Sequence, residues 1–319
     1  MFSELLFWLK CSRYYTLPMT IFSWLIIFLF GLKNNGNVFY GLLSLLGICI
    51  CHLATNLFDD YNDYKTLKRT LLNGRATLPN TQKGKCEYLL NNSTTTKDVL
   101  QTFRTYLLIA SLIGVFFIYK QGFETLIFII LGGFIVLMYS FLSNIRLSEF
   151  AVGLAYGPLI FCGVYFIMTG ELSYIPIILS LPSMILTINL IYTHTFMDYE
   201  IDKAEQKKTF IGLFSKEKAI ILQSIILALA YISIIVLWTT KIADIKILSA
   251  LCTIPLAIDL INSEKQHIKG IIPQKKWYHF PFENWENIKE NESISFMFRM
   301  YQARNLMIYT SCLISIVML

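Results

Sequence analysis

Long apolar stretches alternate with short polar ones along the whole chain. A membrane-spanning helix needs about 20 mostly apolar residues, with a tolerated range of about 17 to 25. The chain is therefore predicted to be an all-α, polytopic membrane bundle of about nine transmembrane helices, forming a single domain over residues 1–319. The nine stretches that predict these helices are 17–33, 38–58, 101–119, 124–142, 149–168, 173–195, 219–239, 245–262 and 303–319.

The composition agrees with this interpretation. Only 15% of the residues are charged and 55% are hydrophobic, whereas soluble domains carry roughly 25% charged residues. Disordered, collagen-like and disulfide-scaffold classes are excluded. The seven cysteines form no CxxC pair, so the sequence suggests neither a zinc site nor a redox motif.

The positive charges predict an orientation. Of the 27 lysines and arginines, 22 lie in the N-terminal segment or the loops after spans 2, 4, 6 and 8, and four lie on the other side. An excess of Lys and Arg marks cytoplasmic loops. We expect an integral protein of a bacterial inner membrane, with its N-terminus and the loops that carry its active site in the cytoplasm.

Acidic residues cluster where spans 2 and 6 end. Asn56, Asp60 and Asp63 stand at positions i, i+4 and i+7, and Asp198 and Asp202 stand at i and i+4. In a helix, each set shares one face. A single cluster of this kind is also compatible with a solvated loop. Two matching clusters, each after an unbroken apolar stretch, favour a shared site.

The two segments, 56–64 and 194–202, also resemble each other. When Asp60 is aligned with Asp198, a Phe and a Tyr fall at matching positions in both segments. The segments lie four spans apart, so spans 2 and 6 are expected to run in the same direction. This pattern predicts a weak internal repeat, with a central pocket that opens near the cytoplasmic face and is lined by both acidic clusters.

Carboxylates of this kind suit a hard cation. Mg²⁺ binds one or two carboxylates together with substrate phosphates, and nearby basic side chains can hold further anionic oxygens. The sequence contains neither GxxxxGK[ST] nor GxGxxG, so a nucleotide phosphate is not expected, and neither is a nucleic-acid partner. A diphosphate with a hydrocarbon tail fits a site at the membrane surface. The candidate basic residues are Lys65, Lys68, Arg69, Arg75, Lys207 and Lys208.

At these residues the sequence resembles the UbiA superfamily of intramembrane prenyltransferases, which has nine spans and Asp-rich motifs after spans 2 and 6. The NxxxDxxD form of the first motif is matched by Asn56, Asp60 and Asp63. The second motif, DxxxD, is matched by Asp198 and Asp202.

Further stretches resemble the menaquinone-type branch, whose members prenylate 1,4-dihydroxy-2-naphthoate. A basic-basic-Thr run follows the second motif at Lys207, Lys208 and Thr209. The segment from Arg13 to Pro18 is similar to the R-x-x-T-L-P sequence at the start of that branch's first span. The aromatic and charged segment 263–302 departs from the branch, which leaves the acceptor less defined than the chemistry.

The resemblance implies Mg²⁺-dependent transfer of a polyprenyl group from an isoprenyl diphosphate to an aromatic acceptor in menaquinone biosynthesis. It implies that one set of residues binds the metal and acts in catalysis: Asn56, Asp60, Asp63, Asp198 and Asp202. A second set is expected to contact the diphosphate or the prenyl chain: Lys65, Arg75, Lys207, Lys208 and Tyr139. Tyr139 is the candidate for an aromatic face that stabilises an allylic cation.

Several alternatives remain open. Within the same fold, the acceptor could be 4-hydroxybenzoate, a glycerol-phosphate lipid or a tetrapyrrole, or the protein could be a terpene cyclase with no acceptor. From a different class, a membrane transporter could use the paired acidic helices. Transporter sites, however, usually lie near the bilayer midplane on broken helices. A receptor or assembly factor without turnover is the remaining alternative.

Overall fold

The computed structural model describes residues 2–72, 86–204, 208–271, 276 and 292–319. These residues are almost entirely helical and include no strand. We number the helices in chain order: α1 Phe2–Cys11, α2 Leu17–Lys33, α3 Val38–Leu72, α4 Glu87–Leu90, α5 Thr96–Gln121, α6 Thr125–Asn144, α7 Ser148–Leu154, α8 Ile160–Thr169, α9 Ile175–Met197, α10 Tyr199–Ala204, α11 Lys216–Thr239, α12 Ile254–Ile268 and α13 Glu292–Met318.

Eight helical segments in the described part of the chain are long and apolar enough to cross a membrane. They correspond to the first eight predicted spans, and the all-helical membrane fold is thereby confirmed. Their bounds are Tyr14–Lys33, Val38–Lys65, Thr96–Gln121, Thr125–Asn144, Ser148–Thr169, Ile175–Met197, Lys216–Thr239 and Ile245–Ile268.

The ninth predicted stretch lies within α13, a 27-residue helix that packs against α2, α9 and the eighth span. It is not among the eight apolar segments, because its inward face carries polar side chains that lower its mean hydropathy. Arg299, Gln302 and Asn305 are exposed by only 2%, 5% and 2%. The ninth helix is therefore present, and its core contacts are partly polar.

The spans divide into an inner and an outer group. Within the apolar window of α9, 61% of the residues are buried, against 11% in the windows of α5 and α6. The outer helices turn large apolar side chains outward, including Leu112 at 61% and Ile130 at 64% exposure. Such a surface is stable in lipid and costly in water.

Local signals set where the helices begin and end. Thr95 and Asp98 form a reciprocal capping box at the start of α5, and Ser215 accepts a hydrogen bond from the Lys218 amide at the start of α11. Gly170 ends α8 in the left-handed conformation, with φ 77°. These caps satisfy backbone groups that would otherwise lack partners at the helix ends.

The fifth span approaches the sixth closely, and small residues make this contact. A Cβ atom added to Gly153 would lie 2.5 Å from Ile188 Cγ1, and one added to Gly157 would lie 2.5 Å from Met184 Cβ. Glycines spaced by four residues allow membrane helices to pack at short range. The span that leads into the second acidic motif is therefore held tightly against α7 and the π-helical turn Ala155–Leu159.

Candidate active site

The first acidic motif lies on one continuous helix. Helix α3 runs unbroken through Asn56, Asp60 and Asp63, so the expected shared face is present. Asp60 is only 1% exposed, while Asn56 and Asp63 are half-buried. A carboxylate that is almost fully buried requires compensating partners, because burial alone disfavours its charge.

Two side chains from outside α3 supply these partners. The Arg13 guanidinium forms an ion pair with the Asp60 carboxylate and lies 3.8 Å from Asp59 Oδ2. The Tyr88 hydroxyl donates a hydrogen bond of 3.0 Å to Asp60 Oδ2. Burial raises the pKa of Tyr88, so this hydroxyl remains a neutral donor. Sequence reasoning predicted neither partner.

The half-buried Arg13 side chain lies beside several acidic groups. Burial lowers its pKa, but Asp59 and, more weakly, Asp63 are among the groups that raise it, and the net shift is upward. The guanidinium is therefore a permanent positive charge within the first motif. The only sequence signal for it was the R-x-x-T-L-P resemblance, which assigned it no role.

The orientation of the Asn56 amide follows from its partners. Its Nδ2 donates to the Ser12 carbonyl at 2.9 Å and to Thr16 Oγ1 at 3.3 Å. The Ser12 carbonyl can only accept, so Nδ2 must face the N-terminal loop. The amide oxygen Oδ1 is then the Asn56 atom that can act as a ligand for a cation.

His52, one turn before Asn56, forms a polar junction beneath the motif. It is 7% exposed, and its Nε2 lies 2.8 Å from Thr16 Oγ1. Because the Thr16 hydroxyl donates its proton to the Arg13 carbonyl at 2.7 Å, the neutral ring must donate from Nε2. The single lone pair of Nδ1 is then shared by the hydroxyls of Thr20, 2.6 Å away, and Tyr156, 2.7 Å away.

The second motif spans a helix boundary. Asp198 is the C-cap residue directly after α9, and Asp202 lies in α10. The Asp202 amide donates to the Asp198 carbonyl at 2.8 Å, which maintains one helical turn across the break. Asp198 is 8% exposed and Asp202 is 3% exposed. Both carboxylates are thus buried at the end of a spanning helix, whereas in the first motif Asp60 is buried and Asp63 is half-buried.

Glu149, at the start of α7, is a third buried acid near this region and is 1% exposed. Its carboxylate accepts hydrogen bonds from Ser148 Oγ at 2.9 Å and from Thr195 Oγ1 at 3.3 Å. Thr195 lies three residues before Asp198 on α9. The contact therefore joins the start of the fifth span to the end of the sixth.

The predicted basic residues differ in how they are placed. Lys65 is exposed, with its Nζ 4.1 Å from the centre of the Tyr61 ring, and Lys208 is exposed. Arg75 and Lys207 lie outside the described residues. Of these four basic side chains, the described part of the chain therefore gives positions for Lys65 and Lys208 only, and the expected grouping of the four stays a prediction.

Tyr139 is half-buried on α6. Its neighbour Ser140 lies beside the first motif, where it accepts from Asn62 Nδ2 at 3.2 Å and donates to Asp59 Oδ1 at 3.4 Å. The segment 139–140 is thus connected to the first motif by hydrogen bonds.

A groove of about 390 Å³ lies beside the second motif. The Lys203 and Lys216 ammonium groups lie 5.6 Å and 5.8 Å from the centre of the Tyr199 ring. Lys216 also pairs with Glu200, and the hydrogen bond from Lys216 lowers the pKa of Glu200. Both lysines are among the 22 positive charges that the sequence assigns to the cytoplasmic side.

The donor set fits a hard divalent cation. It consists of carboxylate oxygens and one amide oxygen, which are the ligands that Mg²⁺ takes. Within the described residues, no three His, Cys, Asp or Glu side chains lie together in a geometry that would hold one metal ion. The fit therefore rests on the chemistry and burial of the donors.

A comparison with protein families gives one match. The model described as the UbiA prenyltransferase family matches residues 16–267, well over half of the chain. The chain belongs to this family. The resemblance read from the two motifs is thereby confirmed at the family level, and the protein is an integral membrane prenyltransferase.

Solved structures of the family share the fold at low sequence identity. A UbiA homologue from Archaeoglobus fulgidus bound to GPP and Mg²⁺ is 16% identical, with a TM-score of 0.60 over 94% of this chain and 99% of that one. An apo UbiA homologue from Aeropyrum pernix K1 is 14% identical, with a TM-score of 0.62 over 93% and 98%.

A third structure, of a digeranylgeranylglyceryl phosphate synthase, is 16% identical, with a TM-score of 0.57 over 98% of this chain and 99% of that one. At such identities the likeness concerns the fold. A comparison with curated protein sequences gives no match.

Proposed function

We propose that this prenyltransferase transfers a polyprenyl group from an isoprenyl diphosphate to an aromatic acceptor in a Mg²⁺-dependent reaction. The observation that carries the proposal is the burial of three motif carboxylates, Asp60, Asp198 and Asp202, at the ends of two long apolar helices. Buried acids are costly unless they bind cations. The Archaeoglobus fulgidus homologue that shares this fold is bound to GPP and Mg²⁺, which supports the same ligand class here.

In this proposal the site residues form two groups: one would hold Mg²⁺, and the other would bind the diphosphate and the prenyl chain. Mg²⁺ supplies stabilisation of the charge that develops on the leaving diphosphate. The oxygens that would hold it belong to Asn56, Asp60, Asp63, Asp198 and Asp202. The basic side chains of Lys65, Arg75, Lys207 and Lys208 bind the remaining diphosphate oxygens, and the Tyr139 ring faces the allylic carbon. These residues bind and orient the donor.

The acceptor proposed first is 1,4-dihydroxy-2-naphthoate, which makes the reaction a step of menaquinone biosynthesis. Its support is the branch-like sequence from Arg13 to Pro18 and the Lys207-Lys208-Thr209 run. We also propose that residues 1–319 form one domain in a bacterial inner membrane, with both motifs facing the cytoplasm. The distribution of Lys and Arg among the loops supports this orientation.

A transfer assay in membranes tests the proposal. The assay uses radiolabelled farnesyl or geranylgeranyl diphosphate, Mg²⁺ or EDTA, and a panel of aromatic and glycerol-phosphate acceptors. Asp60→Asn and Asp198→Asn are the test variants. Glu171→Gln is the matched control, because Glu171 is an exposed acid in the loop after α8. Size-exclusion chromatography of each purified variant establishes that it is folded.

We expect Mg²⁺-dependent product with dihydroxynaphthoate. Loss of a group that stabilises developing charge typically costs about 10²–10³-fold in rate, so both test variants should lose activity on this scale while the control keeps it. If product forms with another acceptor instead, that acceptor would replace dihydroxynaphthoate in the proposal. Diphosphate release without an acceptor would indicate a cyclase, and no release from folded protein with any donor would favour the transporter.

A further inference from the structure

Arg13 occupies an unusual position for a residue that neither acidic motif includes. It lies between α1 and the turn Tyr14–Thr16, just before the first span, and its backbone is in the left-handed conformation with φ 56° and ψ 50°. A non-glycine residue is uncommon in this region and costs of the order of 1 kcal/mol or more. Such a conformation persists only where surrounding contacts hold it.

Hydrogen bonds within this loop, and from the loop to the first motif helix, hold its conformation. The Arg13 amide donates to the Lys10 carbonyl at 3.0 Å, and the Arg13 carbonyl accepts from the Thr16 amide at 2.9 Å and the Thr16 hydroxyl at 2.7 Å. Thr16 Oγ1 is in turn bonded to His52 and Asn56 of α3. The loop and α3 are therefore tied together at the level of the metal motif.

This arrangement points the guanidinium at the acidic residues of the motif. Arg13 pairs with Asp60 and lies 3.8 Å from Asp59, and its side chain is only 19% exposed. The same Asp60 carboxylate belongs to the set expected to bind Mg²⁺. Arg13 and Tyr88 each use one acceptor site of this carboxylate, on Oδ1 and Oδ2. A guanidinium and a divalent cation held a few ångströms apart on the same carboxylate repel each other, so each weakens the binding of the other.

We propose that Arg13 is the resident counter-cation of the first motif. In the absence of metal its guanidinium pairs with Asp60, and when Mg²⁺ binds Asp60 the guanidinium binds the diphosphate instead. This inference rests on the proposed function. Arg13 then has two roles. In the free enzyme it balances the buried charge of Asp60, and in the enzyme with bound Mg²⁺ and donor its planar guanidinium binds two diphosphate oxygens. No bond is made or broken in the exchange.

Arg13→Gln tests the first role and Arg13→Lys is the matched variant that keeps the charge. Each full-length protein is purified in detergent, and Mg²⁺ alone is titrated by calorimetry. Removal of a competing unit charge a few ångströms away should tighten Mg²⁺ binding by about tenfold or more in Arg13→Gln. Arg13→Lys should stay near the wild type. Unchanged or weaker Mg²⁺ binding in folded Arg13→Gln would overturn the proposal.

The second role predicts the opposite change for the donor. In the presence of Mg²⁺, Arg13→Gln should bind farnesyl diphosphate about tenfold or more weakly, because a charge-assisted bidentate contact is lost. A structural role alone would weaken both ligands together. Donor binding equal to the wild type would refute this half of the proposal.

A measurement on the wild type keeps the inference testable if Arg13→Gln does not fold. Phenylglyoxal modifies accessible arginines, and mass spectrometry locates the sites. Mg²⁺ should accelerate modification of Arg13 severalfold, and added farnesyl diphosphate should suppress it again, while the exposed Arg104 stays constant. If Arg13 is modified at the same rate with EDTA and with Mg²⁺, the proposed release of Arg13 from Asp60 would be contradicted.

The failure of this inference is distinguishable from the failure of the proposed function. A wild type that binds neither Mg²⁺ nor farnesyl diphosphate would refute both. A wild type that binds both, with Arg13 variants that leave Mg²⁺ binding unchanged, would refute only the exchange.

Discussion

A buried ion pair joins the last helix to the eighth span, and its energetic role can be measured. Arg299 Nη1 on α13 donates to Glu264 Oε2 on α12 at 2.6 Å, and the two side chains are 3% and 0% exposed. The contact uses one oxygen and one nitrogen. Within the described residues, Glu264 Oε1 and Arg299 Nη2 are buried and have no hydrogen-bond partner.

The magnitudes follow from burial. Removal of one member leaves a buried charge without its counter-ion, which costs about 3–5 kcal/mol. Replacement of both members by apolar residues of similar volume is neutral or stabilises by about 1–4 kcal/mol. We therefore expect Glu264→Leu and Arg299→Met each to lower stability strongly, and the double variant to be as stable as the wild type or more so.

The assay is a double-mutant cycle on purified protein in one detergent, with denaturant midpoints and thermal unfolding as readouts. The exposed pair between Lys216 and Glu200 provides the internal control, because its side chains are 32% and 68% exposed. Glu200→Gln should change stability by no more than about 1 kcal/mol. If the double variant loses as much as the two single variants combined, the charges are not coupled and the reasoning from burial is wrong.

Two further substitutions test the packing and the polar junction around the site. Gly157→Ala should destabilise by about 1–3 kcal/mol through overpacking, because its Cβ would lie 2.5 Å from Met184 Cβ. Gly133→Ala is the control: its Cβ meets nothing within 4 Å inside α6, so the melting temperature should stay the same or rise slightly, since Ala favours a helix over Gly. His52→Leu removes the acceptor of the Tyr156 hydroxyl and should cost about 1–3 kcal/mol in unfolding free energy. A variant of His52 as stable as the wild type would show that this hydroxyl finds another partner.

The spans could be predicted from sequence because lipid imposes a simple length and apolarity requirement on each helix. Eight predicted spans satisfy it. The last helix is the instructive case: Arg299 and Gln302 are polar, yet buried against protein, so a rule based on contact with lipid does not describe them. The continuous helix through Asn56 and Asp60 was predictable as well, because an i, i+4 spacing defines a helical face.

The partners of the motif were not predictable, because they come from distant parts of the chain. Arg13 meets Asp60 only through a loop in a left-handed conformation, and Tyr88 reaches it from a helix of four residues. No local pattern encodes such contacts. His52 could be placed on the face of Asn56 by counting one turn, but its partner Tyr156 lies on another span. The predictions about Arg75 and Lys207 remain predictions, since both lie outside the described residues.

The π-helical turn Ala155–Leu159 explains how both motifs are held by one short segment. Pro158 has no backbone N–H to donate, and a π-bulge inserts an extra residue that changes which side chains face each neighbour. Gly157 lies against Met184 of the span that ends at the second motif, while Tyr156 hydrogen-bonds His52 beneath the first. A shift of this turn would therefore move one motif relative to the other, so we expect substitutions here to impair donor binding as well as stability.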